Sequence, residues 1–203
     1  MPVMFFRPQA LESIARKLLV EYDASYLNQS PRPVPIETII EKVCGLSIEY
    51  KYLTNNGREL GRMIYDDGIT TYFDKDINKY ALMTVQGGTI MIDASLLDQE
   101  KLYGRLRFTL AHELSHYLLH KGLYSGTGTA AALYKHEINE DATEWQANYL
   151  AQAILMPKGQ VKRCFYALRP TFKSKQESIS QMAKTFEVSK QAMEIRLKRF
   201  ALI

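Results

Sequence analysis

One segment of the sequence has residue types and spacing suited to binding a metal ion. His112, Glu113 and His116 form the pattern H-E-x-x-H within an apolar stretch of helical periodicity. Histidines four residues apart project from one face of a helix, so both imidazoles can bind one Zn²⁺ at about 2.0–2.1 Å. Glu113 is offset around the helix, where it can take a proton from a water molecule beside the metal. The pattern predicts a catalytic zinc site, and the alternative is a pair of histidines hydrogen-bonded at a helix surface.

A catalytic zinc ion usually has three protein ligands, so the chain must supply a third. His120 continues the four-residue series, but a helix rises about 1.5 Å per residue, which separates His112 from His120 by about 12 Å along the axis. We therefore expect His120 beside the ligands and not among them. Glu144 is the better candidate, because small residues on its helix face let two helices approach closely. Asn148 can support it, and Glu140 is the reserve ligand.

A longer set of residues resembles the ImmA/IrrE family of zinc metallopeptidase-like proteins. The resemblance covers about residues 33–157 and rests on RFTLAHELSH at 107–116, Leu119-His120, Glu144-x-x-Ala147-Asn148 and Leu155-Met156-Pro157. It implies that His112, His116 and Glu144 are the ligands of one zinc ion per chain. Glu113 would then be the catalytic base. Ser115 stands where the family commonly has glycine, and we expect zinc binding to tolerate this small residue.

The same resemblance implies a fold and an activity. The fold is a minimal zincin, in which a small and mostly antiparallel sheet lies beside the active-site helix. The activity is hydrolysis of a peptide bond in a partner protein, a helix-turn-helix transcriptional repressor of a mobile-element or stress-response switch. The alternative function is a metal-binding transcriptional regulator, or a non-proteolytic binding protein, that uses the C-terminal tail.

Two other parts of a peptidase site can be assigned only by position. A group that stabilises the developing oxyanion is expected, and His136 and Tyr134 are the candidates. In related zincins a peptide substrate pairs with an edge strand, for which residues 89–93 (TIMID) are the candidate. An ordinary core strand is the other interpretation of that segment.

Hydrophobic periodicity predicts the elements that position these residues. Helices are expected from Pro8 and over about 36–44, 101–120, 140–155 and 179–200. Strands are expected within 46–52, 61–65, 70–73 and 80–93, the last with a hairpin turn at Gly87-Gly88. Helices beside a segregated sheet predict an α+β protein with a helical C-terminal tail.

The net charge of +4 conceals two unlike parts of the chain. Residues 1–157 contain 15 basic and 19 acidic residues, whereas residues 158–203 contain 11 basic and three acidic ones. We therefore predict a metallopeptidase domain over 1–157 and a basic helical tail over 158–203. Such an asymmetry is typical of a tail that binds a partner, with nucleic acid as one candidate. The alternative is a helical face that is only solvated.

Within the tail, residues 179–199 are similar to a helix-turn-helix. The side chains that could contact a DNA backbone are Lys190, Arg196, Lys198 and Arg199. Glu187, however, occupies the turn position where glycine usually supplies a positive φ, and its charge would lie near phosphates. A helical scaffold that packs on the peptidase is therefore favoured over DNA binding.

Composition excludes several other classes of protein. With 46% apolar residues the chain can build a core and is not disordered. It has no apolar run of the roughly 20 residues that a membrane-spanning helix requires. Cys44 and Cys164 lack the paired spacing of a disulfide scaffold or a cysteine zinc cluster. We expect a cytoplasmic globular protein that does not bind membranes.

Overall fold

The computed structural model describes residues 4–124 and 140–203 and has the α+β architecture expected from the sequence. Its helices are α1 (Pro8–Asp23), α2 (Ser25–Asn28), α3 (Ile36–Thr38, continued by a π-helical turn over Ile39–Val43), α4 (Tyr103–Tyr124), α5 (Glu140–Leu155), α6 (Lys158–Leu168), α7 (Lys175–Phe186) and α8 (Lys190–Arg199). Its strands are β1 (Ser47–Lys51), β2 (Gly61–Ile64), β3 (Gly68–Asp74), β4 (Lys79–Val85) and β5 (Thr89–Asp93). None of the helices in these residues has the length and apolar character needed to cross a membrane.

The larger sheet has three strands in the order β1–β5–β2. β5 pairs with β1 in parallel and with β2 in antiparallel orientation. All five residues of β5 are buried, as is typical of a continuous apolar run that is covered on both faces. The prediction that residues 89–93 form a substrate-binding edge strand was therefore wrong, because this strand lies in the centre and β2 lies at an edge.

The hairpin predicted at Gly87-Gly88 was also wrong, because β4 and β5 belong to different sheets. β4 pairs with β3 in a separate two-stranded sheet. The two glycines instead lead the chain into β5, which lies between β1 and β2. Gly88 N–H donates to Ile64 O at 2.8 Å, and Gly88 O accepts from Ser47 N–H at 3.0 Å. A Cβ on Gly87 would lie 2.7 Å from Tyr65 O, so this close backbone approach requires glycine.

The hydrophobic core lies between the three-stranded sheet and α1, α4 and α5. α1 begins at Pro8, since proline suits the first turn of a helix, and buries Leu11 completely. Leu110 and Leu114 of α4 are also fully buried, whereas Leu118, one turn further along the helix, is 37% exposed. The apolar face of α4 therefore anchors the middle of the helix, which contains the H-E-x-x-H segment.

The C-terminal helices extend this core. α6, which the sequence analysis did not anticipate, begins after Pro157 and buries Val161, Cys164 and Phe165. The apolar residues of α7 and α8 belong to the same cluster as those of α1, α4 and α5. The division of the chain at residue 157 stays a prediction, since a shared core does not by itself define folding units.

α7 and α8 form two helices joined by a turn, as expected over residues 179–199. Ser189 caps α8, and its Oγ accepts a hydrogen bond from Ala192 N–H at 3.1 Å. Glu187 in the turn has a φ of +50°, the conformation that glycine adopts most easily. The carboxylate of Glu187 lies 3.7 Å from Arg107 of α4, and a Cβ on Gly104 of α4 would lie 2.9 Å from Ser189 N. The turn is therefore docked on the helix that carries the H-E-x-x-H segment.

Three of the four basic side chains considered for DNA contacts have partners within the protein. Arg196 is fully buried and forms an ion pair with Glu12 at 2.7 Å (Nη1–Oε1). Lys198 forms an ion pair within α8 at 2.7 Å, and Arg199 donates to a glutamine of α5 at 3.1 Å. These contacts favour the scaffold interpretation of the tail.

The Arg196–Glu12 ion pair should contribute strongly to stability. We expect Glu12→Ala to lower the free energy of unfolding by about 2–4 kcal/mol, because the buried guanidinium loses its counter-charge. In a chain of this size that corresponds to a melting temperature lower by roughly 4–16 °C, measured by circular dichroism. Arg196→Met should cost less, since it removes the buried charge itself. Glu21→Ala, at an exposed position of the same helix, is the control, and an equal melting temperature for Glu12→Ala would contradict the prediction.

Candidate metal centre

Three ligand atoms from two helices meet at the candidate site. The Nε2 atoms of His112 and His116 on α4 are 3.0 Å apart. Oε2 of Glu144 on α5 lies 3.2 Å from the His112 nitrogen, and its Oε1 lies 3.2 Å from the His116 nitrogen. A tetrahedral zinc ion with bonds of about 2.0–2.1 Å separates its ligand atoms by about 3.3 Å. With one ligand atom from each residue, all three lie within 4.8 Å of one another, close enough to hold one such ion. Within the described ranges, no other group of histidine, cysteine, aspartate and glutamate residues has this arrangement.

The approach of α5 to α4 depends on small residues. Ala147 and Ala151, on the same face as Glu144, are fully buried. Asn148 lines the site one turn after Glu144, in the position expected of a supporting residue. The side chain of Glu140, the reserve ligand, lies outside the described part of the chain.

The electrostatics of the cluster suit a cation. Hydrogen bonds from His112 and His116 hold the pKa of Glu144 far below its usual range. The pKa of His112 is raised: burial, the largest single effect, lowers it, but the hydrogen bond with Glu144 and the charge of Glu113 outweigh burial. An ionised carboxylate between two imidazoles is a donor set that Zn²⁺ prefers. The residues present therefore fit the metal that the sequence predicts.

His120 lies behind His116 and outside the ligand cluster. Its Nδ1 is 3.2 Å from the Nδ1 of His116, on the side of that ring facing away from the cluster. Burial, and then the charge of His116, lowers the pKa of His120 to about 4, so its ring is neutral at physiological pH. Such a contact sets the orientation of a ligand imidazole. The supporting role of His120 stays a prediction.

Ser115 is accommodated without disturbing the helix. Its side chain is fully buried, and its Oγ donates to Ala111 O in the preceding turn at 2.6 Å. The hydroxyl is therefore satisfied within α4 itself. A serine at this position is therefore compatible with the helix that carries His112 and His116.

Glu113 packs directly against the backbone of β2. A Cβ added to Gly61 would lie 2.8 Å from Oε1 and 2.9 Å from Cγ of Glu113, and 2.6 Å from Cγ2 of Thr109. Only a glycine leaves this space, and glycine inside a strand often marks such an approach. Glu113 is 8% exposed, and burial raises its pKa, so its carboxyl group binds a proton more readily than one in water. Sequence reasoning identified Glu113 but missed Gly61.

Gly61→Ala should therefore displace Glu113. We expect overpacking to cost about 1–3 kcal/mol of stability and misplacement of the carboxylate to lower the rate of substrate cleavage by roughly 100-fold. The zinc content, measured by atomic absorption, should remain that of the wild type. Gly68→Ala, where an added Cβ meets no atom within 4 Å, is the matched control. Wild-type cleavage by Gly61→Ala would contradict the proposed contact.

A cleft of about 530 Å³ runs along β2 and opens onto the three ligand residues. Leu60 O and Ile64 O accept hydrogen bonds from the β5 side, at 2.9 and 2.8 Å. Because backbone groups alternate along a strand, Gly61 and Met63 direct their N–H and C=O groups outward. No strand pairs with that outer side in the part of the chain that the structure describes. The cleft thus has an open strand edge beside Glu113.

The oxyanion candidates His136 and Tyr134 lie outside the described residues. Tyr65, which sequence reasoning missed, lines the cleft and stacks on Tyr124 with ring centroids 5.1 Å apart. Burial, and then the charge of Glu113, raises the pKa of Tyr65, so its hydroxyl keeps its proton. Nothing in the sequence distinguishes Tyr65 from the rest of the 13 tyrosines in the chain.

Comparisons with known proteins give a family and a fold. The family model described as the IrrE N-terminal-like domain, Peptidase_M78, matches residues 66–198. The match therefore begins later than the resemblance noted in the sequence and includes the C-terminal helices. No curated protein matches the chain. Among solved structures, a Mycobacterium tuberculosis transcriptional regulator has a TM-score of 0.52 and 15% identity, over 92% of this chain and 55% of that one. This likeness shows a shared fold, and the chain spans about half the length of that neighbour.

Proposed function

Because the chain belongs to the Peptidase_M78 family of IrrE N-terminal-like domains, a metallopeptidase-type family, we propose that it is a zinc-dependent endopeptidase. The observation that carries the proposal is the grouping of His112, His116 and Glu144 beside a buried Glu113, at an open strand edge. Each part has a use in peptide hydrolysis: a cation site, a base and a surface that holds an extended backbone.

The mechanism assigns a step to each of these residues. His112, His116 and Glu144 would hold a zinc ion, which would supply Lewis acidity to the scissile carbonyl and to water. Glu113 takes a proton from the attacking water and returns it to the leaving nitrogen, for which a pKa raised by burial is suited. Gly61 and Met63 hydrogen-bond the substrate backbone as an added strand. The hydroxyl of Tyr65 donates a hydrogen bond to the carbonyl oxygen as negative charge develops on it.

The substrate we propose is a helix-turn-helix transcriptional repressor of a mobile-element or stress-response switch. Support comes from the resemblance to the ImmA/IrrE family. The protein would meet such a substrate in the cytoplasm, the compartment that its cysteine content predicts. A cleft of about 530 Å³ takes only a few residues of an extended chain, so cleavage requires an exposed or unfolded segment of the repressor.

The test is incubation of the zinc-loaded protein with the repressor encoded beside its gene. We expect one cleavage product pair, identified by mass spectrometry, and none when a chelator is present or when zinc is withheld. Restoring zinc to the chelated sample should restore cleavage. An intact repressor under all conditions would contradict the proposed substrate.

The second candidate is a metal-binding transcriptional regulator. It is favoured by the capped helix pair α7–α8 and by the likeness to a solved protein whose name is transcriptional regulator. This function predicts a DNA complex that is selective for sequence, weakens with salt and survives removal of zinc. Gel-shift titrations with and without chelator distinguish it from the peptidase, for which zinc removal abolishes activity.

A further inference from the structure

The end of the cleft nearest the start of α4 carries positive charge. Arg105, in the first turn of α4, lines the cleft, and so does Arg58, three residues before the start of β2; both are exposed. Neither forms an ion pair with a carboxylate of the described residues. The first turn of α4 contains no acidic residue, so the positive end of the helix dipole adds to this charge. The two guanidinium groups therefore remain available to a ligand in the cleft.

The acidic residue next in sequence does not neutralise these arginines. Glu59 also lines the cleft, but both of its carboxylate oxygens are bound by Arg62, at 2.7 Å from Nε and 2.7 Å from Nη2. The remaining Nη1 of Arg62 donates to Thr71 O at 3.1 Å. This closed network removes Glu59 and Arg62 from recognition and leaves a net charge of +2 from Arg58 and Arg105.

The separation of Arg105 from the ligand cluster corresponds to the length of a short peptide. Arg105 precedes His112 by seven residues of α4, which is about 10 Å along a helix. An extended chain covers that length in about three residues. Phe108 lies between Arg105 and His112 on α4 and is half-buried, with its ring centroid 6.5 Å from that of His112. A substrate along the cleft would place an apolar side chain on Phe108 and the next ones near Arg105.

We propose that Arg58 and Arg105 form a specificity site for an aspartate or glutamate about three residues from the scissile bond. This inference rests on the proposed peptidase function and adds the substrate class. A carboxylate pairs well with guanidinium groups, in bidentate geometry where it can, and arginine keeps its charge at all relevant pH values. A basic residue at the same position would be repelled. Segments cut by this protein are therefore acidic on one side of the bond.

The test uses a degenerate library of blocked dodecapeptides, with the products sequenced by mass spectrometry. For the zinc-loaded wild type we expect Asp and Glu enriched up to about tenfold near three residues from the cut, since each exposed pair contributes modestly. Arg58→Gln/Arg105→Gln should lose this enrichment. Arg16→Gln, an exposed arginine on α1 away from the cleft, should keep it. A cleaved library without acidic preference, or a preference that survives the double substitution, would overturn the site while the peptidase function stands.

A binding selection separates failure of the specificity site from failure of the peptidase. The same library is passed over immobilised Glu113→Gln, with and without the two arginine substitutions, and the retained peptides are sequenced. Acid enrichment that depends on Arg58 and Arg105 supports the site even if the wild type cuts nothing. Retention without acid enrichment, or no retention, overturns the site, and a wild type that cuts no peptide counts separately against the peptidase.

Discussion

Glu113→Gln is expected to abolish cleavage of the repressor while the protein keeps its zinc. An amide has the shape of the carboxyl group but cannot accept a proton, and loss of a positioned general base typically lowers the rate by about 10²–10⁴-fold. Zinc content should not change, because the proposed ligands are His112, His116 and Glu144. Single-turnover cleavage rates and metal analysis on the same sample measure the two quantities.

The same substitution should leave the fold intact. Glu113 is buried and burial disfavours its charged form, so a neutral isostere removes a cost and not a stabilising ion pair. The melting temperature should remain near that of Glu21→Gln, a control at an exposed glutamate of α1. Cleavage at the wild-type rate by folded, zinc-loaded Glu113→Gln would refute the assignment of the base.

Glu144→Gln is expected to remove most of the zinc affinity. Hydrogen bonds from both histidines keep Glu144 ionised, as its lowered pKa indicates, and an amide oxygen lacks the charge that binds the cation. The loss should exceed the roughly 10–100-fold that removal of an outer-sphere partner costs. It can be measured by competition with a chromophoric chelator, and cleavage should fall in parallel.

Thermal denaturation provides a second measure of that affinity. Zinc at 100 times its Kd adds about 2.7 kcal/mol to the free energy of unfolding of the wild type. In a chain of this size that raises the melting temperature by roughly 5–11 °C. The melting temperature of Glu144→Gln should rise little at the same zinc concentration. Glu140→Gln, on the same helix, should respond like the wild type. If Glu140→Gln lost the response and Glu144→Gln kept it, the reserve ligand would be the true one.

The expectations that held depend on contacts close together in sequence. H-E-x-x-H on a helix brings His112 and His116 together wherever that helix lies, because four residues make about one turn. The exclusion of His120 from the cluster followed from the same rise per residue. Glu144 required one tertiary assumption, that α5 packs on α4, and the small residues Ala147 and Ala151 made it reasonable.

The expectations that failed depend on which strands become neighbours. The apolar run at residues 89–93 is compatible with either an edge strand or a central strand, and hydrophobic periodicity does not distinguish the two positions. Gly87-Gly88 resembles a hairpin turn, yet the chain crosses there to another sheet. The side chain of Arg196, one of four candidates for contact with a DNA backbone in the less favoured interpretation of the tail, is buried against Glu12, 184 residues away in sequence.

By itself the sequence determined the α+β class, through its hydrophobic periodicity, and brought His112 and His116 together through the geometry of a single helix. It also predicted the metal and the general base from residue types. Only the tertiary structure decided that β2 borders the cleft, that Gly61 gives Glu113 its space, and that Arg58 and Arg105 line one end. These features arise from packing between segments distant in the chain, where backbone approach and burial select the neighbours. Local periodicity contains no information about that selection.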